Sequence, residues 1–222
     1  MAKRHDEFGI DFGLSGLTSF FRYPTPLPGE AEAVRLVAAV AGEYDGAYAR
    51  QLLEDVQRLL ESPLPDEAIV TLWLAATRGY FDLVAHGFDG RGWLRRIAEV
   101  SLAEIRAGDS SFVPAAPEPV TDPELSSAVL AEIREVASAL AEATVTSLYA
   151  APLPDVVPAL ERIVADADAD LGFRLFLRVL KAYFVEIDEG RLYRFCALGE
   201  RFGYHELVVE DGNLNIWSDL TD

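Results

Sequence analysis

Arginines set beside aromatic residues are the side chains of this 222-residue chain best suited to gripping a ligand. Arg91, Arg95 and Arg96 surround Trp93 at the expected start of a helix. A cation in the first turn opposes the helix dipole, so Arg91 needs another role. It can pair with the plentiful acidic neighbours, or it can hold an anion with Trp93 as a stacking surface. Arg191, Arg194 and Arg201 form a looser counterpart after Tyr183. The candidate ligand-binding residues are therefore Arg91, Trp93, Arg95, Tyr183, Arg191 and Arg194.

Asp166, Asp168 and Asp170 are the sharpest acidic cluster. Alternating oxygen ligands open a calcium loop, but such a loop continues with Gly at its sixth position and Glu at its twelfth. Here those positions hold Leu171 and Leu177. No metal is expected. On a continuous helix Asp166 and Asp170 would share a face with Asp168 pointing away; the cluster is read instead as a solvated helix junction at which Asp168 or Asp170 caps the next helix. His5, His86 and His205 lie too far apart in sequence for a local zinc motif, and a structural role is expected for His86 and His205. Cys196 sits in an apolar run and reads as a buried thiol. The glycines at 9, 13 and 16 lack the Lys-Ser or Lys-Thr of a phosphate loop, and Gly13-Leu14-Ser15-Gly16 is one residue short of a nucleophile elbow. No specific catalytic motif is present, and no cofactor is implied.

The elements that must position these residues are helices. Apolar residues recur at helical spacing from residue 30 onward. The boundaries read as Glu30 to Ala41, Asp45 to before Pro63, Asp66 to before Gly87, and Asp89 to Gly108. The second group reads as Asp122 to about Tyr149, Asp155 to about Asp168, Asp170 to Ile187, and Glu189 to Phe202. The expected fold is mainly α: a multi-helix bundle or irregular helical-repeat array of about eight helices in two groups of four. The helix from Asp66 is apolar on almost every side and is expected at the centre of the N-terminal half. Residues 1–28 read as an irregular arm. Residues 29–205 read as a single all-α domain, with halves 29–108 and 122–205 joined by a Pro-rich linker, 109–121. Residues 206–222 read as a C-terminal β-hairpin and tail, because Asp211-Gly212 separates two apolar alternations. Pro63-Leu64-Pro65-Asp66 recurs as Pro152-Leu153-Pro154-Asp155, and Tyr80-Phe81 recurs as Tyr183-Phe184. If this is a repeat, the natural binding place is a groove between the halves.

Charge bounds the partners. There are 37 acidic residues against 19 basic ones, a formal net charge of -18. Such a field opposes nucleic acid, whose binding depends on Lys and Arg neutralising phosphates, and equally opposes an anionic membrane surface. No apolar stretch suits a signal peptide or a membrane span, so a cytoplasmic location is expected. The leading reading is an acidic helical interaction module that binds a basic protein partner, in the manner of bacterial immunity proteins, antitoxins or adaptors, where complementary charge speeds association. The alternative is an enzyme or small-molecule sensor with a pocket between the helical halves. Convergent Arg and aromatic side chains in a cavity would favour the second reading. A homodimer through the C-terminal hairpin is a third possibility.

Overall fold

Helical periodicity dominates the sequence, and the computed structural model is mainly α. It describes residues 8–21, 29–118, 122–148 and 150–217. The N-terminal half contains α2 (Glu30–Ala41), α3 (Ala47–Glu61), α4 (Asp66–Thr77) and α5 (Gly90–Gly108). The C-terminal half contains α6 (Pro123–Glu135), α7 (Ala137–Thr146), α8 (Val156–Asp166), α9 (Ala169–Tyr183) and α10 (Glu189–Phe202). Two three-residue strands, β1 (Glu186–Asp188) and β2 (Asn215–Trp217), complete the chain with a helix that the sequence reading did not anticipate, α1 (Gly13–Phe20).

Local signals account for most boundaries. Asp122 accepts the N–H groups of Glu124 and Leu125, with Pro123 in the first turn of α6. Asp188 caps α10, and Gly203 ends it in the left-handed conformation. The N-terminus of α5 is capped from a distance as well as locally. Asp66 accepts the N–H groups of Gly90 at 2.9 Å and Arg91 at 2.8 Å, while Asp89 accepts from Gly92. Gly90 permits that approach, since a Cβ there would lie 2.9 Å from Ile69 Cβ.

Five expectations are corrected. The first concerns residues 13–20, which form α1 rather than irregular chain. Its Phe12 N-cap supplies no side-chain bond; the N–H of Leu14 is accepted instead by Asp55 of α3 at 2.8 Å. The second is the long helix expected from Asp122 to about Tyr149, which breaks at Val136 (φ -102°, ψ 3°) into α6 and α7 and ends at Thr146; Leu148, within the expected span, is 92% exposed. The helix from Asp66 is the third. It stops at Thr77, where Arg78 turns left-handed and its N–H and that of Gly79 close on Ala75 and Leu74.

The fourth is the C-terminal hairpin. Gly212 is left-handed and the turn at Asp211 forms, but its arms do not pair. Residues 206–208 make a 3₁₀ turn, Val208 and Val209 are buried in the core, and Lys181 takes the Val208 carbonyl at 3.1 Å. β2 pairs in parallel with β1 instead, Ile187 opposite Ile216. The fifth follows from this pairing: the helix expected to reach Ile187 stops at Tyr183, where Phe184 turns left-handed, and Ile187 lies in β1.

Buried apolar side chains from Phe8 to Leu214 form a single cluster. α4 packs on α8 and α9, so the two halves share that core. The most enclosed helix is α9, in which every residue but Arg178 is buried; it contacts α1, α4, α6, α7 and α8. The echoed text does not mark equivalent units. Pro63-Leu64-Pro65 leads into α4, and Tyr80-Phe81 follows that helix directly. Pro152-Leu153-Pro154 leads into α8, and Tyr183-Phe184 follows α9, one helix later.

Candidate functional site

Ionisable side chains buried at the junction of α1, α3 and α9 are the most constrained polar groups of the described residues. Arg174 of α9 and Asp55 of α3 are both fully enclosed and meet in a two-pronged pair, Nη2 to Oδ1 at 2.8 Å and Nη1 to Oδ2 at 2.9 Å. Arg174 also donates to the carbonyl of Phe12 at 3.0 Å and to Asp170 Oδ2 at 3.3 Å, and lies 4.5 Å above the Phe12 ring. Asp55 accepts from Leu14 N–H and from Gln51 at 2.9 Å. Burial works to lower the Arg174 pKa, but Asp55 and Asp170 outweigh it and hold the guanidinium firmly charged.

Arg58 occupies the other side of the same carboxylates. Its Nε and Nη1 lie 3.5 Å from Asp168, 3.7 Å from Asp170 and 3.8 Å from Asp55. These are ionic contacts too long for good hydrogen bonds. Its Nη2 donates to Glu54 and to the Glu118 carbonyl. Tyr204 donates to Asp170; burial, then the Asp170 charge, raises its hydroxyl pKa well above the usual value. Gly13 admits α1 to this network. It is left-handed (φ +60°), and a Cβ there would lie 2.1 Å from Asp55 Oδ2.

The network continues towards an open space. Arg174 Nη1 reaches the Ser15 hydroxyl at 3.4 Å, and that hydroxyl donates to Asp11 Oδ1 at 2.6 Å. Asp11 borders a cavity of about 570 Å³. Its walls come from α1 (Ser19, Phe20), from the end of α4 (Thr77, Arg78, Tyr80), from α9 and its cap (Arg178, Lys181, Phe184), and from the loop at Asp211 and Asn213. The cavity therefore lies between the two halves. Lys181 is paired with Asp211 at 2.9 Å, and Arg178 Nε donates to the Ala76 carbonyl at 3.1 Å. The Arg78 guanidinium lies 5.6 Å from the centre of the Phe184 ring. Arg78 and Phe184 are both left-handed without being glycine, a conformation that costs energy and concentrates at functional sites.

The residues picked out in the sequence are not gathered into this cavity. Arg91 is a structural clamp: its guanidinium donates to the carbonyls of Leu60 and Leu64 at 2.7 Å and of Ser62 at 3.0 Å, closing the end of α3 and the turn into α4. This is the role that its unfavourable place in the dipole required. Trp93 is buried among Phe21, Trp73, Phe81 and Phe88 and offers no face to a ligand. Arg95 is exposed. Arg191 and Arg194 hold Glu132 and Glu135 of α6 at 2.5–3.1 Å. Tyr183 does not line the cavity; burial raises its pKa, partly offset by nearby Arg78.

The acidic cluster is a helix junction. Asp168 caps α9 by accepting from Leu171 at 2.7 Å. What is corrected is its solvation: Asp168 and Asp170 are buried and turn inward to Arg58, and only Asp166, before the break at Ala167, is exposed. Among the described residues no group of His, Cys, Asp or Glu is arranged to hold a metal, and no helix is long and apolar enough to cross a membrane. His86 is stacked on Phe81 at 4.5 Å, and His205 accepts from Leu207.

Sequence reasoning missed Asp11, Arg78, Arg178 and Lys181. The one available signal was Lys181, one of only two lysines in the chain and placed in an otherwise apolar run. Comparison of the chain with protein families, curated proteins and solved structures finds no match.

Proposed function

We propose that the protein binds a small ligand carrying an anionic group in the cavity between its halves. The observation that carries this reading is the convergence of Arg78, Arg178 and Lys181 on one concave space in a chain whose net charge is -18. The cavity is of the size that holds small molecules, about 300–1,000 Å³, and Tyr80 and Phe184 supply apolar wall beside the cations. This favours the pocket alternative over the interaction module.

Thermal unfolding with a panel of organic carboxylates and phosphates tests it. A ligand at a hundred times its Kd stabilises by about 2.7 kcal/mol, which raises Tm by roughly 5–10 °C for a chain of this size. Arg78→Gln should abolish the shift. If no anion in the panel raises Tm, the reading fails.

A second reading, docking of a basic protein partner, rests on the outward face of the small sheet. Trp217, 57% exposed, lies opposite Asp188, and Glu186 is exposed on the neighbouring strand. Aromatic rings flanked by carboxylates attract cationic side chains. A lysine-rich protein that is bound in low salt and released by Trp217→Ala would support it; binding unchanged by that substitution would remove it.

A further inference from the structure

The cavity carries charge of both signs, and their arrangement narrows the ligand class. This step rests on the small-anion reading above. Lys181 and Asp211 form a pair within the wall. Asp11 makes no ion pair within 4 Å among the described residues, although it borders the space that Arg78 and Arg178 also line. One of its carboxylate oxygens is fixed by the Ser15 hydroxyl, which is itself held by Arg174. The Arg174–Ser15 relay therefore presents Asp11 to the cavity as an oriented acceptor.

We infer that the ligand is a zwitterion of the amino-acid type, its ammonium on Asp11 and its carboxylate towards Arg78, with an apolar or aromatic side chain against Phe20, Tyr80 and Phe184. Burial raises the Asp11 pKa, and Lys181, Arg174 and Arg178 only partly offset it. A ligand ammonium would supply the close ion-pair partner that Asp11 does not have among the described residues. A simple anion meets the arginines but leaves Asp11 facing it with like charge.

Calorimetry on the full chain with three matched probes tests this: phenylalanine, 3-phenylpropionate and phenethylamine. Phenylalanine should bind at least about tenfold more tightly than 3-phenylpropionate, the difference expected of one charge-assisted hydrogen bond. Asp11→Asn should erase that advantage while leaving 3-phenylpropionate no weaker. Arg78→Gln should weaken both carboxylates alike, which covers the case in which the Asp11 variant is poorly folded. If 3-phenylpropionate equals or exceeds phenylalanine on the unaltered protein, the zwitterion assignment falls and the anion reading stands. If neither carboxylate binds at millimolar concentration, the zwitterion assignment falls, and the anion reading falls with it when no phosphate or carboxylate of the unfolding panel raises Tm.

Discussion

Removing Arg174 tests how α1 is held in the fold. Arg174→Met keeps much of the volume and deletes the charge. Asp55 then retains only the Leu14 N–H and Gln51 as close partners, and Asp55 and Asp170 share a buried site in which Arg58 stands 3.7–3.8 Å away. Breaking a buried pair by removing one partner costs about 3–5 kcal/mol. For a chain of this size 1 kcal/mol moves Tm by roughly 2–4 °C, so a fall of roughly 6–20 °C is expected. Equilibrium urea unfolding measures the loss directly. Asp55→Asn in the same background removes the stranded charge, so the double variant should recover about 0.5–3 kcal/mol relative to the sum of the singles. Hydrogen exchange at the Leu14 amide should rise, because the Phe12 carbonyl and the Asp55 cap of α1 both depend on this site. A loss below about 1 kcal/mol, or additive singles, would mean that the network is not what anchors α1.

Two further predictions follow from single side chains. Arg91→Ala should destabilise by about 1–3 kcal/mol, since it strips charged donors from carbonyls at the end of α3; Arg91→Lys should restore less than half, because a single ammonium cannot span carbonyls so spaced, and a full rescue in urea titrations would contradict the clamp. The pH dependence of Asp11 has a definite sign. Its folded pKa lies above the ordinary 3.8, with burial the main cause, so its contribution to stability is complete below that value and lost as pH rises through the folded pKa. Asp11→Asn should therefore be the more stable protein at neutral pH, with the difference closing as the solution is acidified. A constant difference across the titration would show that the carboxyl is not desolvated.

Asp11 would then be a group that weakens the fold where it ionises, which is the expected cost of holding a charge ready for a ligand. The buried network has a different character. Ion pairs as enclosed as Asp55–Arg174 are often no more stabilising than well-packed apolar residues. Here the pair has a positional consequence: it fixes the start of α1 and, through Ser15, the orientation of Asp11.

Reading along the chain was sufficient wherever a boundary is set by neighbours in sequence. Asp122-Pro123, Gly203 and the apolar stripes of α2, α3, α5 and α10 act within one or two turns, so type and spacing determined them. The helix α1 was invisible because its cap comes from Asp55, 41 residues away, and its glycines serve close approach rather than flexibility. At Gly16, for example, a Cβ would lie 2.4 Å from the Tyr48 hydroxyl oxygen. The Asp-Gly turn was legible, but what its arms pair with was decided by the core that buries Val208 and Val209 and by β1. The arginines beside Trp93 drew notice because they are adjacent in sequence, yet adjacency says nothing about where a side chain points. Composition and local pattern determined a mainly helical, acidic chain. Only the tertiary structure brought Asp11, Arg78, Arg178 and Lys181 to one cavity, because they are separated by up to 170 residues and meet only when α1, α4 and α9 share a core.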